Sequence, residues 1–213
     1  MAKEAAGGPG LERRPLASRS SGWARWLAAR LAASRITPNQ ISVLSLAWAV
    51  LGGALLLWGT GWLAAIAAAA CVQLRLLCNL LDGMVAIEGG KSTVAGALFN
   101  EIPDRIADPL LLVPLGCAAG YPWLGWLTAL LAVLTAYVRV LGGALGERQD
   151  FSGVLPKQRR MAVLTIALLA VAIEDSLWGS RVSLLVAAII IAIGSLATCV
   201  SRTIGIAKRL VDR

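Results

Sequence analysis

Residues 79–108 read N-L-L-D-G-M-V-A-I-E-G-G-K-S-T-V-A-G-A-L-F-N-E-I-P-D-R-I-A-D, from Asn79 to Asp108, between two long apolar segments. Charged groups at the edge of a membrane span cost free energy and are rarely there without a task. Asn79 and Asp82 are three residues apart, while Gly96, Asn100, Asp104 and Asp108 recur every four. On two helices, each set lines one face. Two such faces turned toward each other predict a pocket of hard oxygen donors suited to Mg²⁺, Mn²⁺ or Ca²⁺.

Outward from this stretch the chain is membrane-like. Its hydrophobic fraction is 58%, its mean hydropathy is +0.74, and several apolar runs approach the roughly 20 residues a spanning helix needs. The expected fold is an all-α integral membrane protein with about six transmembrane helices preceded by an amphipathic surface helix. The spans expected are Ile41 to Trp58, Trp62 to Leu81, Ile102 to Gly116, Trp123 to Leu145, Met161 to Ile173 and Val182 to Cys199. The third holds Asp104, Arg105 and Asp108 in its first turns. Residues 1–15, with Gly7, Gly8, Pro9 and Gly10, are expected to be disordered. Residues 16–35 mix Trp23, Trp26, Leu27 and Leu31 with Arg25 and Arg30, which predicts a helix lying on the membrane, tryptophans down and arginines toward phosphates. Residues 36–213 form a single membrane domain, with Thr37 as a plausible cap ahead of Pro38. The charged N-terminal segment lacks the compact apolar region of a cleavable signal peptide.

The net charge of +8 is unevenly placed. Arg13, Arg14, Arg19, Arg25, Arg30 and Arg35 precede the first span; Arg148, Lys157, Arg159 and Arg160 separate the fourth and fifth; Lys208, Arg209 and Arg213 end the chain. The positive-inside rule then predicts cytoplasmic termini and a cytoplasmic Asn79–Asp108 pocket. Anionic lipid headgroups, not nucleic acid, are the partners this charge implies. Trp58, Trp62, Trp123 and Trp126 mark the opposite interface. Arg75 and Arg139 fall toward the cytoplasmic ends of their spans, where they can snorkel. Arg75, four before Asn79, either pairs with Asp82 or Asp108 or contacts substrate.

Other signals are weaker. Gly89-Gly90-Lys91-Ser92 is not a P-loop, because Val85 stands where the first glycine of that motif belongs. Cys71 and Cys78 are separated by about 10 Å of helical rise, too far for a disulfide, and with Cys117 and Cys199 they read as small buried apolar groups. In residues 150–161 the cations Lys157, Arg159 and Arg160 follow a Gly and Pro turn. They either set topology or bind the phosphate of a lipid or acceptor.

The string Ile36-Thr-Pro-Asn-Gln-Ile-Ser42 and the spaced positions Asn79, Asp82, Gly83, Ala86, Ile87, Gly96, Asn100 and Asp104 together resemble the CDP-alcohol phosphatidyltransferase (phosphotransferase) family. That family's signature is D-x-x-D-G-x-x-A-R, eight residues, then G-x-x-x-D-x-x-x-D, and the gap between Ile87 and Gly96 is retained. The resemblance spans nearly all of the membrane portion. It implies transfer of a phosphatidyl or phospho-alcohol group from a CDP-alcohol, such as CDP-diacylglycerol, to a hydroxyl acceptor, with release of CMP in phospholipid biosynthesis. It implies Mg²⁺ or Mn²⁺ held by Asp82, Asn79, Asn100 and Asp104, and Asp104 as general base. Substrate contacts fall to Gly83, Ala86, Thr93, Gly96, Lys157, Arg159 and Arg160. A homodimer in a bacterial inner membrane is also implied.

This chain departs from the signature at Asn79, Asn100 and Ile87, which replace two aspartates and the arginine. An amide oxygen can still ligate a hard cation, but two formal negative charges are gone. Glu88, Glu101 and Asp108 are the nearby acids expected to compensate, and Lys91 stands near the lost arginine. With no histidine in the chain, a carboxylate is the natural proton acceptor. The alternative is a catalytically impaired homologue acting as a lipid- or nucleotide-binding membrane protein, distinguished by metal-dependent CDP binding without turnover. A transporter would place polar groups at mid-membrane, whereas these acids cluster at one edge.

Overall fold

The computed structural model describes residues 21–90, 96–147 and 149–212, and every regular element among them is a helix. In chain order these are α1 (Gly22–Ala32), α2 (Pro38–Trp58), α3 (Gly61–Glu88), α4 (Gly96–Ala118), α5 (Pro122–Ala144), α6 (Lys157–Leu177) and α7 (Val182–Val211). The expected disordered tail and the first turns of the expected surface helix lie outside the described residues.

Four helices, α2, α3, α5 and α7, are long and apolar enough to cross a membrane. The expected third and fifth spans correspond to α4 and α6, of 23 and 21 residues. At about 1.5 Å of rise per residue both have the length. Their apolarity is diluted by charge, in α4 by Glu101, Asp104, Arg105 and Asp108 at its start, and in α6 by Lys157, Arg159 and Arg160 at its start and Glu174 and Asp175 at its end. The two polar starts are the groups that build the candidate site.

Thr37 starts α2 with a reciprocal cap: its hydroxyl accepts from the Gln40 N–H at 3.3 Å, and the Gln40 side chain accepts from the Thr37 N–H at 3.0 Å. Two orphan donors at the helix start are thereby satisfied. The α2–α3 turn is tight because Gly61 adopts φ +73°, a region costly for side-chain-bearing residues.

The six long helices close a ring. α2 packs against α3 and α4, α4 against α5, α5 against α7, α7 against α6, and α6 back against α3. Its centre is filled by Ala49, Val72, Leu111, Leu115, Ala132, Leu164, Leu168 and Ile191. Small residues set the approach. A Cβ on Gly53 would lie 2.2 Å from the Leu110 carbonyl oxygen, and one on Gly116 would lie 2.2 Å from the Gly125 nitrogen. Close packing at glycine is the usual route to helix association where lipid supplies no hydrophobic drive. Cys71, Cys78 and Cys199 are buried and Cys117 partly so, all as free thiols.

The alternating path gathers the start of α2, the ends of α3 and α5, the starts of α4 and α6, and the end of α7 at one end of the bundle. α1 packs outside the ring against α3. It buries Ala24 and Ala28, one turn apart, with Leu80, Leu81, Met84 and Val85, leaving Trp23 and Trp26 more than half exposed. The Arg30 guanidinium sits 4.6 Å from the centre of the Trp26 ring, within cation–π range.

Candidate functional site

The last turns of α3 and the first turns of α4 carry the spaced motif, and a side-chain bond joins them. The Asn79 amide donates to Asp104 at 3.0 Å. From α2, Ser45 donates to the Asn79 side-chain oxygen at 2.8 Å and Ser42 donates to Asp82 at 2.8 Å. The other Asp82 oxygen accepts from the Gly83 N–H at 2.6 Å. Asp82 is only 4% exposed. Buried charges ordinarily require hydrogen bonds and a counter-charge. Among the described residues, Asp82 has the first but no cation within ion-pair distance.

Asp104 has the opposite surroundings. The Lys157 ammonium, from the first turn of α6, is paired directly with it. A guanidinium nitrogen of Arg75 lies 3.6 Å away and one of Arg105 lies 3.9 Å away.

Asp108, one turn further along α4, is enclosed. Arg75 donates to one of its oxygens at 2.8 Å and Arg160 to the other at 2.9 Å. Asp108 and Arg160 are each 1% exposed and Arg75 is fully buried. Arg160 also donates to the Thr135 hydroxyl at 3.1 Å, and Arg202 of α7 donates to the Thr135 carbonyl at 2.7 Å and the Ser152 carbonyl at 2.9 Å. This network ties α3, α4, α5, α6 and α7 together directly beneath Asp104. Among the described residues, Arg75 Nε and Nη1 and Arg160 Nε have no hydrogen-bond partner.

The remaining sequence-stretch candidates distribute around this centre. Gly83 and Ala86 are partly buried on the end of α3, and Gly96 is partly buried at the start of α4. Glu88 is exposed at the end of α3, as is Ile87. Glu101 turns to Arg139 of α5 and to Arg105 at 3.4 Å. Arg159 is exposed and donates to the Val154 carbonyl at 3.1 Å. Thr93 and Lys91 lie outside the described residues, as does the side chain of Asn100. Among the described residues, no three acids stand together as a metal-holding cluster. The carboxylates are instead partitioned, with Asp82 on neutral donors, Asp104 on an ammonium and Asp108 on two guanidiniums.

Three contributors were not singled out from sequence. Ser42 and Ser45 are polar residues three apart in an otherwise apolar run, and that spacing is the signal that both face α3. Arg202 is a lone cation near the end of a long apolar helix, where a buried polar partner is the usual reason for its presence.

No family model matches the chain. Among characterised proteins, it is 29% identical over 143 residues to the inner membrane protein YnbA of Escherichia coli (strain K12), covering 65% of this chain and 69% of that one. It is 34% identical over 142 residues to the bifunctional IPC transferase and DIPP synthase of Rubrobacter xylanophilus, 62% of this chain but 30% of that longer one. It is 29% identical over 184 residues to the phosphatidylinositol phosphate synthase of Mycobacteroides abscessus, 83% and 80% of the two chains. The fold matches Mycobacterium tuberculosis phosphatidylinositol phosphate synthase (PgsA1) with CDP-DAG bound, with TM-score 0.70, 22% identity and coverage of 86% of this chain and 92% of that one. The same protein in complex with manganese and citrate gives TM-score 0.72, 23% identity and coverage of 86% and 88%. In motif spacing, in the helices that carry it and in these relatives, the chain is similar to proteins of the CDP-alcohol phosphotransferase family.

Proposed function

We propose that this chain transfers a phosphatidyl or phospho-alcohol group from a CDP-alcohol, with CDP-diacylglycerol the favoured donor, to a hydroxyl acceptor, releasing CMP in phospholipid synthesis. The observation that carries the proposal is the convergence of Asn79, Asp82 and Asp104 from α3 and α4 at one end of the bundle. The relatives support it, since one is a phosphatidylinositol phosphate synthase and a structural neighbour holds CDP-DAG.

In this reading Asp104 accepts the acceptor's hydroxyl proton as the new O–P bond forms and the bond to CMP breaks. A positioned carboxylate in that role contributes typically 10²–10⁴-fold. Asp82, buried and with no cation at ion-pair distance among the described residues, is the residue that would hold a divalent cation, Mg²⁺ or Mn²⁺. When bound, that cation supplies charge neutralisation on the diphosphate; the manganese complex of the M. tuberculosis protein is consistent with this. Lys157 stands where its ammonium can exchange Asp104 for a phosphate oxygen. Asp108, Arg75 and Arg160 are assigned to holding the helices, and Gly83, Ala86, Gly96, Thr93 and Arg159 to the substrate's surroundings.

The six helices α2 to α7 are proposed to cross a bacterial inner membrane, with both termini and the site on the cytoplasmic side. Helix α1 is proposed to lie in the interface, its exposed Trp23 and Trp26 among the headgroups. A homodimer is the proposed assembly. The test is CMP release by purified protein with Mg²⁺ or Mn²⁺ and a panel of CDP-alcohols and acceptors. Release that falls about 10²–10⁴-fold in Asp104→Asn supports the assignment. Metal-dependent CDP binding without release from any pair would select a lipid- or nucleotide-binding protein instead.

A further inference from the structure

We infer that the centre takes one divalent cation per chain, at Asp82, and that the Lys157 ammonium and the Asn79 amide occupy the electrostatic place of a second at Asp104. The inference rests on the proposed function for the identity of the site, and changes its composition.

Charge is the first argument. The family signature has four aspartates where this chain has Asp82, Asp104, Asn79 and Asn100. The two missing negative charges equal the charge of one divalent ion. The described centre already holds cations enough for its carboxylates, with Asp82, Asp104 and Asp108 among Arg75, Lys157 and Arg160, and with Arg105 shared between Asp104 and Glu101. The cations are distributed unevenly. Asp108 takes both close guanidinium contacts and Asp104 takes the ammonium, leaving Asp82 buried with Ser42 and Gly83 as its donors among the described residues. A buried carboxylate lacking a paired cation is where a metal ion gains most.

Hydrogen-bond direction is the second argument. Asn79 accepts from Ser45 at 2.8 Å and donates to Asp104 at 3.0 Å. An aspartate at that position has no N–H to donate, so its carboxylate would face the Asp104 carboxylate directly. Two like charges at that separation require a cation between them or a proton on one. The amide satisfies Asp104 without either, and Lys157 supplies the positive charge. Two neutral substitutions and one lysine thus form a consistent set.

The experiment is Mn²⁺ binding to the full chain in detergent micelles with CDP present, with free ion followed by electron paramagnetic resonance. One Mn²⁺ per chain is expected for the wild type and none for Asp82→Asn. The triple variant Asn79→Asp/Asn100→Asp/Lys157→Met is expected to bind two, with circular dichroism and gel filtration establishing that each variant is folded. Two ions, or none, on the wild type would overturn the inference, as would an ion retained by folded Asp82→Asn. A triple variant that is folded and still binds one ion would do the same. Turnover is scored separately. One bound ion without CMP release from any donor defeats the proposed function and leaves the count standing, whereas two ions with CMP release defeats the count alone.

Discussion

Asp108 invites two incompatible assignments, and one substitution separates them. As an acid one turn from Asp104 it is a natural metal ligand; as the partner of Arg75 and Arg160 it is a structural anchor. Asp108→Asn keeps the shape and removes the charge. The pairs lost are at 2.8 and 2.9 Å, between groups no more than 1% exposed. Removing one partner of a buried pair costs about 3–5 kcal/mol, because the remaining charge is left uncompensated. Here two guanidiniums are left, and among the described residues Arg75 Nε and Nη1 and Arg160 Nε have no hydrogen-bond partner to fall back on. An amide oxygen can still serve one guanidinium, while its NH₂ would face the other. We therefore expect a loss of at least about 3 kcal/mol, read as unfolding of purified protein in mixed micelles by tryptophan fluorescence. Arg181→Gln is the control: Arg181 and Asp175 lie 4.0 Å apart, both side chains keep solvent access, and such pairs are worth about 0–1 kcal/mol. The triple replacement Arg75→Met/Arg160→Met/Asp108→Leu should recover most of the lost stability, since apolar side chains of similar volume often equal or exceed a buried ion network by about 1–4 kcal/mol. An Asp108→Asn protein within about 1 kcal/mol of wild type but weakened in Mn²⁺ binding would refute the anchor and restore the ligand.

Three further perturbations probe separate parts of the structure. Ser42→Ala removes a donor from buried Asp82 and should destabilise by about 1.5–3 kcal/mol, the range for a hydrogen bond to a charged group. The same change should cost less in an Asp82→Asn background, as a double-mutant cycle of unfolding free energies would show. Gly53→Ala places a Cβ 2.2 Å from the Leu110 carbonyl, forcing α2 from α4 at about 1–3 kcal/mol; Gly22→Ala, with nothing within 4 Å, should unfold like the wild type. Asp150, in the α5–α6 loop, is held below its ordinary range: burial works against ionisation, but the Ser152 hydroxyl and N–H and the charges of Arg202 and Arg209 outweigh it. With its folded value depressed, its contribution is complete above the unfolded carboxylate value near about 3.9 and is lost as pH falls through the folded one. Acid unfolding of Asp150→Asn should therefore converge with that of the wild type only at the lowest pH.

The architecture was legible because its signals are periodic. Apolar runs of spanning length marked the helices, and the recurrence of Gly96, Asn100, Asp104 and Asp108 every four residues marked one face of α4. The spacing of Asn79 and Asp82 likewise placed both toward α4 or α2. Partner choice was not legible, because it depends on which helices become neighbours. Arg75 was compatible with Asp82 or Asp108, and the ring order that brings α6 beside α3 decides for Asp108, since Arg160 arrives on its other oxygen. Arg160 and Arg159 are adjacent in sequence, yet one is buried in the bundle and the other exposed, a difference set by roughly 100° of helical rotation. The spacing of Ser42 and Ser45 puts them on one face, but that they donate to Asp82 and Asn79 is set by the packing of α2 on α3.

The pairing of Lys157 with Asp104 has consequences for both binding and chemistry. A carboxylate oxygen paired directly with an ammonium is occupied, and a hydroxyl must take that ammonium's place to donate to it. On the proposed reading, Asp104 is open to the acceptor's hydroxyl once the Lys157 ammonium turns an N–H toward the donor while its charge stays beside the carboxylate. The diphosphate of the donor is the group able to draw it, since phosphate oxygens offer the ammonium both charge and acceptors. Donor binding would then release the base in the same movement that neutralises the leaving group. The neutralisation of the leaving group predicts that Lys157→Met lowers turnover even at saturating donor, although Asp104 is then free, whereas loss of a simple phosphate contact, made equally in ground and transition states, would raise KM alone. A Lys157→Met protein with unchanged kcat and raised KM for the CDP-alcohol would show that the lysine only binds.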